Sequence, residues 1–208
     1  MDISIVIVSY NTCKLLDECI GSIVTQTRTK HEIIIVDNNS KDGTIEMLKE
    51  KHPSVKVISN KSNVGFARAN NQGFVIASGK YYFMLNPDTL ILDGALDKLF
   101  QFMEATQDCG ICGPKNVGRD MDLQYNCDHF PSAWIFFCEY FRLGNFFKFE
   151  SLFNRSLMKY WDYSDVRKVD RIMGCSLLIR ADVYERLEGL DENFFMYFEE
   201  TDFCYRAL

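Results

Sequence analysis

Four short apolar runs in residues 1–90 alternate with helical patterns, and this alternation constrains the fold more than any other feature. The runs cover residues 3–8, 33–36, 55–58 and 81–85, and they are rich in β-branched or aromatic side chains. Runs of this length and composition indicate strands, and those at 3–8, 33–36 and 81–85 indicate buried strands. Strands separated by amphipathic helices form a parallel sheet with right-handed crossovers. The sequence therefore predicts an α/β protein with a mostly parallel sheet flanked by helices.

Polar clusters follow three of these strands at the point where each strand ends. They cover residues 9–11, 37–40 and 86–88. The carboxyl ends of parallel strands lie on one edge of a sheet, and ligands of open α/β sheets bind in the crevice at that edge. We therefore expect the clusters to converge on one site, with the candidate side chains of Ser9, Tyr10, Asn11, Asp37, Asn39, Asn86 and Asp88.

The cluster after the run at 81–85 has two interpretations. Pro87 has no backbone N–H to continue a strand ladder, so the strand ends before it. The Asp88 carboxylate could then hold a divalent metal, and a metal with oxygen ligands commonly accompanies a phosphate group. Alternatively, Asp88 forms an Asx-type turn and only caps the following segment. These residues alone leave both interpretations open.

Charge and cysteine content exclude several classes of protein. The net charge of −6 argues against a nucleic-acid partner, because nothing offsets the repulsion from a phosphate backbone. The eight cysteines are expected to be free thiols in a reducing cytoplasm, since the chain enters an apolar run at Ile3 without a basic leader. Cys109 and Cys112 form an isolated CxxC, which is weak support for a zinc or redox site. No run reaches the roughly 18 apolar residues of a membrane span.

Residues 129–163 are crowded with aromatic side chains and interspersed with basic ones. One interpretation is a helical insertion that packs over the sheet. The other is an aromatic and basic surface that faces a lipid interface, as amphipathic interfacial helices do. The two are not exclusive. The residues concerned are Phe130, Trp134, Phe136, Phe137, Tyr140, Phe141, Arg142, Phe146, Phe147, Lys148, Phe149, Phe153, Arg155, Lys159, Tyr160, Trp161 and Tyr163.

The last part of the chain contains a predicted strand and an acidic segment. Residues 169–180 indicate a strand with Gly174 at a bend or at a close backbone approach. Glu199, Glu200 and Asp202 then follow a run of aromatic residues. Carboxylates beside bulky apolar groups can have a raised pKa and act as general bases. The alternative is a solvated helix start, where acidic residues suit the helix dipole.

Six motifs resemble, in order, those of the inverting family 2 glycosyltransferases, and within them the rhamnosyltransferase-like branch. They span essentially the whole chain: VSYN at 8–11, IVDNNSKDGT at 35–44, NVGFARANNQG at 63–73, FMLNPDT at 83–89, MGCSLLIR at 173–180 and LDENFFMYFEETD at 190–202. The resemblance implies a GT-A fold, which is Rossmann-like, with an aromatic-rich helical insertion. It also implies that residues 1–114 bind a nucleotide-sugar and that residues 115–208 form the acceptor side of the same single domain.

The resemblance implies a UDP- or dTDP-sugar as donor. Tyr10 would stack on the pyrimidine base, and Asp37 would accept a hydrogen bond from the ring N–H. Gly65, Arg68 and Asn70 would border the nucleotide and its diphosphate. An inverting transfer needs a base on the acceptor side and a cation that stabilises the leaving diphosphate.

Metal and base are also implied by the resemblance. Asn86-Pro87-Asp88 corresponds to the family's metal-binding DxD, so that Asp88 would bind Mg²⁺ or Mn²⁺. Glu199 and Glu200 lie where the family has Glu-Asp, and the second position would deprotonate the acceptor hydroxyl. Because a glutamate replaces the usual aspartate, either of the two could be the base.

The acceptor implied by the resemblance is a hydroxyl of a glycan or of a lipid-linked molecule, in cell-surface polysaccharide synthesis. Gly174 and Asp202 would lie on its side of the site. Such an acceptor is compatible with a peripheral contact at the cytoplasmic face of a membrane.

Two other functions compete with sugar transfer. The chain ends at Leu208, where family members continue with further helices and a metal-ligating histidine, which implies a partial protein. A catalytically incomplete nucleotide-sugar-binding module or subunit is therefore the alternative. A sugar-phosphate nucleotidyltransferase would need a glycine-rich basic loop after the first strand, and residues 9–12 do not provide one.

Overall fold

The computed structural model describes residues 1–143 and 158–208. Strands and helices alternate in the first part of the chain, which confirms the predicted pattern. The elements are β1 (Ile3–Ser9), α1 (Cys13–Gln26), β2 (His31–Asp37), α2 (Thr44–Lys51), β3 (Lys56–Ser59), α3 (Phe66–Val75), β4 (Tyr81–Leu85) and α4 (Ala95–Ala105).

Shorter elements follow, and here the sequence predictions are less accurate. They are β5 (Ile111–Cys112), β6 (Asn116–Val117), β7 (Leu123–Gln124), β8 (Cys127–Asp128), α5 (Ala133–Tyr140), β9 (Arg171–Ile172), β10 (Ser176–Arg180), α6 (Ala181–Arg186) and α7 (Glu199–Arg206). The apolar residues around the CxxC at Cys109 and Cys112 contribute only the two-residue strand β5. The strand predicted over residues 169–180 is divided into β9 and β10, with Gly174 between them.

The main sheet has the strand order β3-β2-β1-β4-β10-β5. Strands β1, β2, β3 and β4 are parallel, and β10 is antiparallel to both β4 and β5. The sheet is therefore mixed and mostly parallel, as predicted. Because β2 and β4 lie on opposite sides of β1, the order of strands reverses at β1. Crevices for ligands form at such reversals.

Strand β1 is covered by helices on both faces, which explains why its residues are all buried. On one face, Ile5 belongs to the same core cluster as Leu16 and Ile20 of α1. On the other face, α3 approaches so closely that a Cβ on Gly73 would lie 2.4 Å from Cγ1 of Val6. Each fully buried isoleucine or leucine stabilises the fold by about 1.5–3 kcal/mol. The packed faces leave the strand ends as the open part of the sheet.

The chain forms two compact units, residues 1–114 with 174–207, and residues 115–173 with Leu208. The second unit contains the antiparallel pairs β6–β7 and β8–β9. Its aromatic core includes Trp161 and Tyr163, whose stacked ring centroids are 4.0 Å apart. The Tyr163 hydroxyl accepts hydrogen bonds from the backbone N–H groups of Asn126 (3.1 Å) and Cys127 (2.8 Å). Burial raises the pKa of this hydroxyl.

The aromatic side chains of the second unit divide between buried and exposed positions. Trp161 and Tyr163 are buried, whereas five aromatic residues on or directly after α5 are 43% to 83% exposed: Trp134, Phe136, Phe137, Tyr140 and Phe141. Part of the predicted insertion lies outside the described residues, namely Phe146, Phe147, Lys148, Phe149, Phe153 and Arg155. Among the helices of the described residues, none is long and apolar enough to cross a bilayer.

Candidate functional site

The carboxyl edge of the parallel strands collects the three polar clusters. Ser9 pairs in register with Asp37, and Asp37 pairs with Ser59 on the next strand. On the other side of β1, Ile7 pairs with Leu85, the last residue of β4. The segments that follow β1, β2 and β4 therefore leave the sheet side by side. The predicted convergence of these clusters is confirmed.

Asp37 presents an unpaired acceptor at this edge. Its side chain is 2% exposed, and its Oδ2 accepts a hydrogen bond from the N–H of Ser40 at 3.0 Å. Its Oδ1 is buried and has no hydrogen-bond partner. Leaving a buried acceptor unpaired costs about 1–3 kcal/mol. A ligand N–H that reaches this oxygen would remove that cost.

The loops after β1 and β2 hold each other through hydrogen bonds. The N–H of Asn11 donates to Oγ of Ser40 (2.9 Å), and Oδ1 of Asn11 accepts from the N–H of Lys41 (2.8 Å). Lys41 Nζ donates to Oδ1 of Asn39 at 2.6 Å. Asn11 and Asn39 both have left-handed backbone conformations, with φ of 56° and 69°. Tyr10 is 51% exposed beside these bonds, so its ring is free to stack on a ligand.

Ser9 and Asn38 make hydrogen bonds at the same edge. Asn38 was not among the predicted site residues. The Ser9 hydroxyl lies 2.9 Å from the hydroxyl of Thr12. Asn38 is 2% exposed, and its Nδ2 donates to Oδ1 of Asn63 (3.2 Å) and to the carbonyl of Gly65 (3.3 Å). Asn38 thereby joins the end of β2 to the start of α3. The polar cluster at residues 37–40 was the only signal for Asn38 in the sequence.

Gly65 brings a distant segment onto the start of α3. Its φ is +89°, and a Cβ at this position would lie 2.6 Å from the carbonyl oxygen of Phe195. That oxygen accepts a hydrogen bond from the N–H of Phe66 at 2.7 Å. Glycine is therefore required both by the backbone conformation and by the space. The contact therefore joins the start of α3, which is predicted to border the nucleotide, to the segment that leads into the acidic residues.

Arg68 and Asn70, the other predicted contacts on α3, have different environments. The Arg68 side chain is 58% exposed, and its Nε lies 3.6 Å from Oε2 of Glu192. Asn70 is fully buried, and its Nδ2 donates to the carbonyl of Phe66 at 3.0 Å. Its Oδ1 has no hydrogen-bond partner. Of the two side chains, only Arg68 extends from the protein surface.

At the end of β4, Asn86 is anchored and Asp88 is exposed. The N–H of Asn86 donates to the carbonyl of Cys175 at 3.0 Å. The carbonyl of Asn86 accepts from the N–H (3.3 Å) and the hydroxyl (2.6 Å) of Thr89. These bonds close the turn through the backbone of Asn86, so the turn does not depend on the Asp88 carboxylate. Asp88 is exposed at the same edge.

The metal-binding capacity of the protein side chains is limited. Within residues 1–143 and 158–208, no group of three or more His, Cys, Asp or Glu residues could hold a metal ion. Asp88 supplies a single carboxylate, while Mg²⁺ takes six oxygen ligands and usually binds through one or two carboxylates plus phosphates. The single carboxylate of Asp88 fits a metal ion whose other ligands come from a bound diphosphate and water.

Two buried glutamates begin α7. Glu199 is 4% exposed and Glu200 is 8% exposed, so the alternative of a solvated helix start is wrong for both. Oε2 of Glu199 has no hydrogen-bond partner. Burial, and to a lesser extent the charge of Glu200, raises the pKa of Glu199 to about 7. The physical reason is that the helix start lies against the sheet, with Glu200 beside Gly174 and Met84 of β4 next to that glycine.

The two residues predicted on the acceptor side, Gly174 and Asp202, differ in their contacts. A Cβ on Gly174 would lie 3.1 Å from Cε of Met84 and 3.5 Å from Cβ of Glu200, so the glycine lies between β4 and the second glutamate. Asp202 accepts from Nε of Arg206 at 2.8 Å, an ion pair within α7. Asp202 is thus engaged by its own helix, whereas Glu200 lies against the sheet next to the end of β4.

An exposed aromatic segment precedes the glutamates and was not recognised as a surface feature from the sequence. Phe195, Met196, Tyr197 and Phe198 are 54% to 69% exposed. Tyr197 and Phe198 both have φ of 71°. Left-handed backbone at bulky residues is uncommon and concentrates at functional sites. The aromatic run was visible in the sequence, but its exposure was not.

Solved structures share this fold. The S. aureus TarS 1-349 structure in complex with UDP gives a TM-score of 0.66 at 16% identity, covering 100% of this chain and 55% of that chain. A mannosyltransferase, PcManGT from Pyrobaculum calidifontis in complex with GDP-Man and Mn²⁺, gives a TM-score of 0.65 at 18% identity, covering 99% and 51%. The fold is that of the GT-A glycosyltransferases, as the sequence resemblance implied.

Residues 4–183 match the family described as Glycosyl transferase family 2. The chain belongs to this family. The hexosyltransferase Agl10 of low-salt glycan biosynthesis from Haloferax volcanii is 26% identical over 99% of this chain, which spans 61% of that relative. An N-acetylglucosaminyl-diphospho-decaprenol L-rhamnosyltransferase from Mycobacterium tuberculosis is 23% identical over 95% of this chain and 67% of its own length.

Proposed function

We propose that this chain transfers a sugar from a UDP- or dTDP-sugar to an acceptor hydroxyl, with inversion at the anomeric carbon. The observation that carries the proposal is the position of Glu199 and Glu200. These buried carboxylates begin α7 beside Gly174 and the end of β4, in the same unit as the strand edge that holds Asp37. A donor bound along that edge would place its reactive carbon near an acidic group.

The base of the donor is assigned to the loops after β1 and β2. Uracil and thymine each carry a ring N–H, which suits the unpaired Oδ1 of Asp37. The half-exposed ring of Tyr10 offers a stacking surface for a flat base. The UDP complex of the related TarS structure supports a uridine donor.

The diphosphate is assigned to Asp88, Arg68 and the polar side chains around them. Asp88 would hold Mg²⁺ or Mn²⁺ together with diphosphate oxygens, and the Mn²⁺ in the PcManGT complex supports such an ion. When bound, the ion stabilises the negative charge that develops on the leaving diphosphate. Arg68 would contribute a positive charge from α3.

The base on the acceptor side is assigned to Glu200. It takes the proton of the acceptor hydroxyl as that oxygen bonds to the anomeric carbon. The bond from this carbon to the diphosphate breaks, and the nucleoside diphosphate leaves on the opposite face, which inverts the configuration. Glu200 is preferred because it lies beside Gly174 next to the end of β4, close to the edge assigned to the donor. Glu199, whose pKa is raised to about 7, is the alternative.

For the acceptor we propose a glycan or a lipid-linked molecule in cell-surface polysaccharide synthesis. Gly174 lies beside Glu200, and both Gly174 and Asp202 are assigned to the acceptor side. Rhamnosyl and other hexosyl groups are the candidate sugars, as the names of the two relatives indicate. The exposed aromatic residues of α5 would contact the cytoplasmic face of a membrane.

The first experiment tests the metal and nucleotide assignment. UDP is titrated into wild type and Asp88→Asn, with and without Mn²⁺, and the affinity is measured by calorimetry. We expect Mn²⁺ to tighten UDP binding in wild type and to have no effect in Asp88→Asn. Asp93→Asn is the matched control, because Asp93 is also exposed and lies five residues further along the chain. A full Mn²⁺ effect in Asp88→Asn would place the metal elsewhere.

The second experiment tests the base and distinguishes a transferase from a binding module. Glu200→Gln should bind UDP and Mn²⁺ as wild type does and transfer sugar about 10²–10⁴-fold more slowly. Transfer is followed as UDP release from UDP- and dTDP-sugars with glycan and lipid-linked acceptors. Wild-type turnover by Glu200→Gln would assign the base to Glu199. Metal-dependent UDP binding by wild type without any turnover would favour the nucleotide-sugar-binding module.

A further inference from the structure

The segment between α6 and α7, residues 187–198, is called the connector here, and it is held along α3. Nδ2 of Asn71 donates to the carbonyl of Leu190 (2.8 Å), and the N–H of Leu190 donates back to Oδ1 of Asn71 (3.1 Å). Further on, the carbonyl of Phe195 accepts from the N–H of Phe66. The connector carries the exposed aromatic residues and leads directly into the two glutamates. Its position therefore sets the acceptor side of the site.

A third link along the same helix is an ion pair between Arg68 and Glu192. The closest atoms, Nε and Oε2, are 3.6 Å apart, and the side chains are 58% and 49% exposed. This distance is too long for a good hydrogen bond. Exposed ion pairs of this kind change an equilibrium constant by about fivefold at most. The Arg68–Glu192 link is thus the easiest of the three to exchange.

A diphosphate is a stronger partner for Arg68 than Glu192 is. It carries more negative charge than one carboxylate and can accept two parallel hydrogen bonds from the planar guanidinium. Resting on the proposed function, which assigns Arg68 to the diphosphate, we propose that Glu192 competes with the donor diphosphate for Arg68. Donor binding then removes one of the contacts that hold the connector along α3, while Asn71 continues to hold Leu190 and Oε1 of Glu192. The acceptor side of the site would thereby respond to the donor.

The test is a double-mutant cycle on nucleotide affinity. UDP with Mn²⁺ is titrated by calorimetry into wild type, Glu192→Gln, Arg68→Ala and the double variant, at about 0.15 M salt. Glutamine removes the charge at position 192 but keeps an oxygen that can accept the bond from Nδ2 of Asn71 (3.2 Å to Oε1 of Glu192). We expect Glu192→Gln to tighten UDP binding about two- to fivefold and Arg68→Ala to weaken it about tenfold. In the Arg68→Ala background, Glu192→Gln should give no gain.

Glu188→Gln is the matched control, because Glu188 is an exposed carboxylate of the same connector. It changes the net charge equally but does not belong to the Arg68–Glu192 pair, so it should leave the affinity unchanged. The inference is overturned if Glu192→Gln leaves UDP affinity unchanged or weaker, or tightens it equally without Arg68. Failure of wild type to bind UDP would contradict the proposed function itself, and this inference with it.

Discussion

Replacing Glu199 by glutamine should stabilise the folded chain at alkaline pH and have little effect at acidic pH. The neutral carboxylic acid and the amide have nearly the same shape, so the substitution mainly removes the ability to ionise. The carboxyl group is 4% exposed, and one of its oxygens has no hydrogen-bond partner. Ionisation of Glu199 in the folded chain is therefore costly.

The size of the effect follows from the pKa of Glu199, which burial raises from 4.5 to about 7. The raised value means that the folded chain keeps this proton after the unfolded chain has lost it. The stabilisation is complete below about pH 4.5 and is lost as the pH rises through 7. At about 1.4 kcal/mol for each pH unit, wild type loses up to about 3 kcal/mol that Glu199→Gln keeps.

The assay is urea unfolding of both proteins between about pH 4.5 and 8.5, with linear extrapolation to zero denaturant. Other ionisable groups are common to both chains, so the difference between the two curves isolates Glu199. Glu200→Gln is the control. Removing the charge of Glu200, the smaller of the two causes, should reduce the pH dependence without abolishing it. A constant difference across this pH range would show that the Glu199 carboxylate is solvated or paired, and the reasoning would fail.

Three further predictions concern the nucleotide side, the backbone and the aromatic surface. Asp37→Ala should weaken UDP binding by about 1–3 kcal/mol in calorimetry, because it removes the unpaired acceptor, and unchanged affinity in a folded variant would exclude Asp37 from the site. Gly65→Ala should destabilise the chain by about 1–3 kcal/mol in urea unfolding, since φ is +89° and the new Cβ would meet the carbonyl of Phe195. The aromatic surface of α5 should carry the chain to the top of a flotation gradient with anionic liposomes at low salt, and replacing Phe136 and Tyr140, 60% and 83% exposed, by serine should reduce this. Equal flotation of the serine variant would mean that α5 does not contact lipid.

The sheet and the edge at which the polar clusters meet could be predicted from local patterns. Buried parallel strands are continuous apolar runs, and a stop such as Pro87 marks where such a run leaves the sheet. The meeting of the polar clusters then follows, because parallel strands place their carboxyl ends on one edge. Short strands such as β5 were not predictable in extent, since two residues are assigned to a strand only through their pairing with β10.

The environment of the acidic residues could not be predicted, because it depends on contacts between distant parts of the chain. Glu199 and Glu200 fit a solvated helix start as well as a buried pair on residue type alone. The pair is buried because Glu200 lies beside Gly174 and β4, and neither of these is near the glutamates in sequence. Asn70 is a similar case, since nothing in the motif distinguishes a buried asparagine from a ligand contact.

The position of β10, antiparallel beside β4, also bears on folding, because the segment after β10 contacts a helix from the first part of the chain. Strands β1 to β4 are joined by short helical crossovers and can assemble from successive neighbours. The connector follows β10 in the chain, and the bond between Asn71 and Leu190 closes a loop of 119 residues. Contacts between residues so far apart in sequence form slowly. Segments with exposed side chains and few buried contacts open readily in the native state. Amides of α7 should therefore exchange with deuterium faster than those of β1, because the two buried glutamates lie on a helix whose preceding segment is held by contacts with a distant part of the chain.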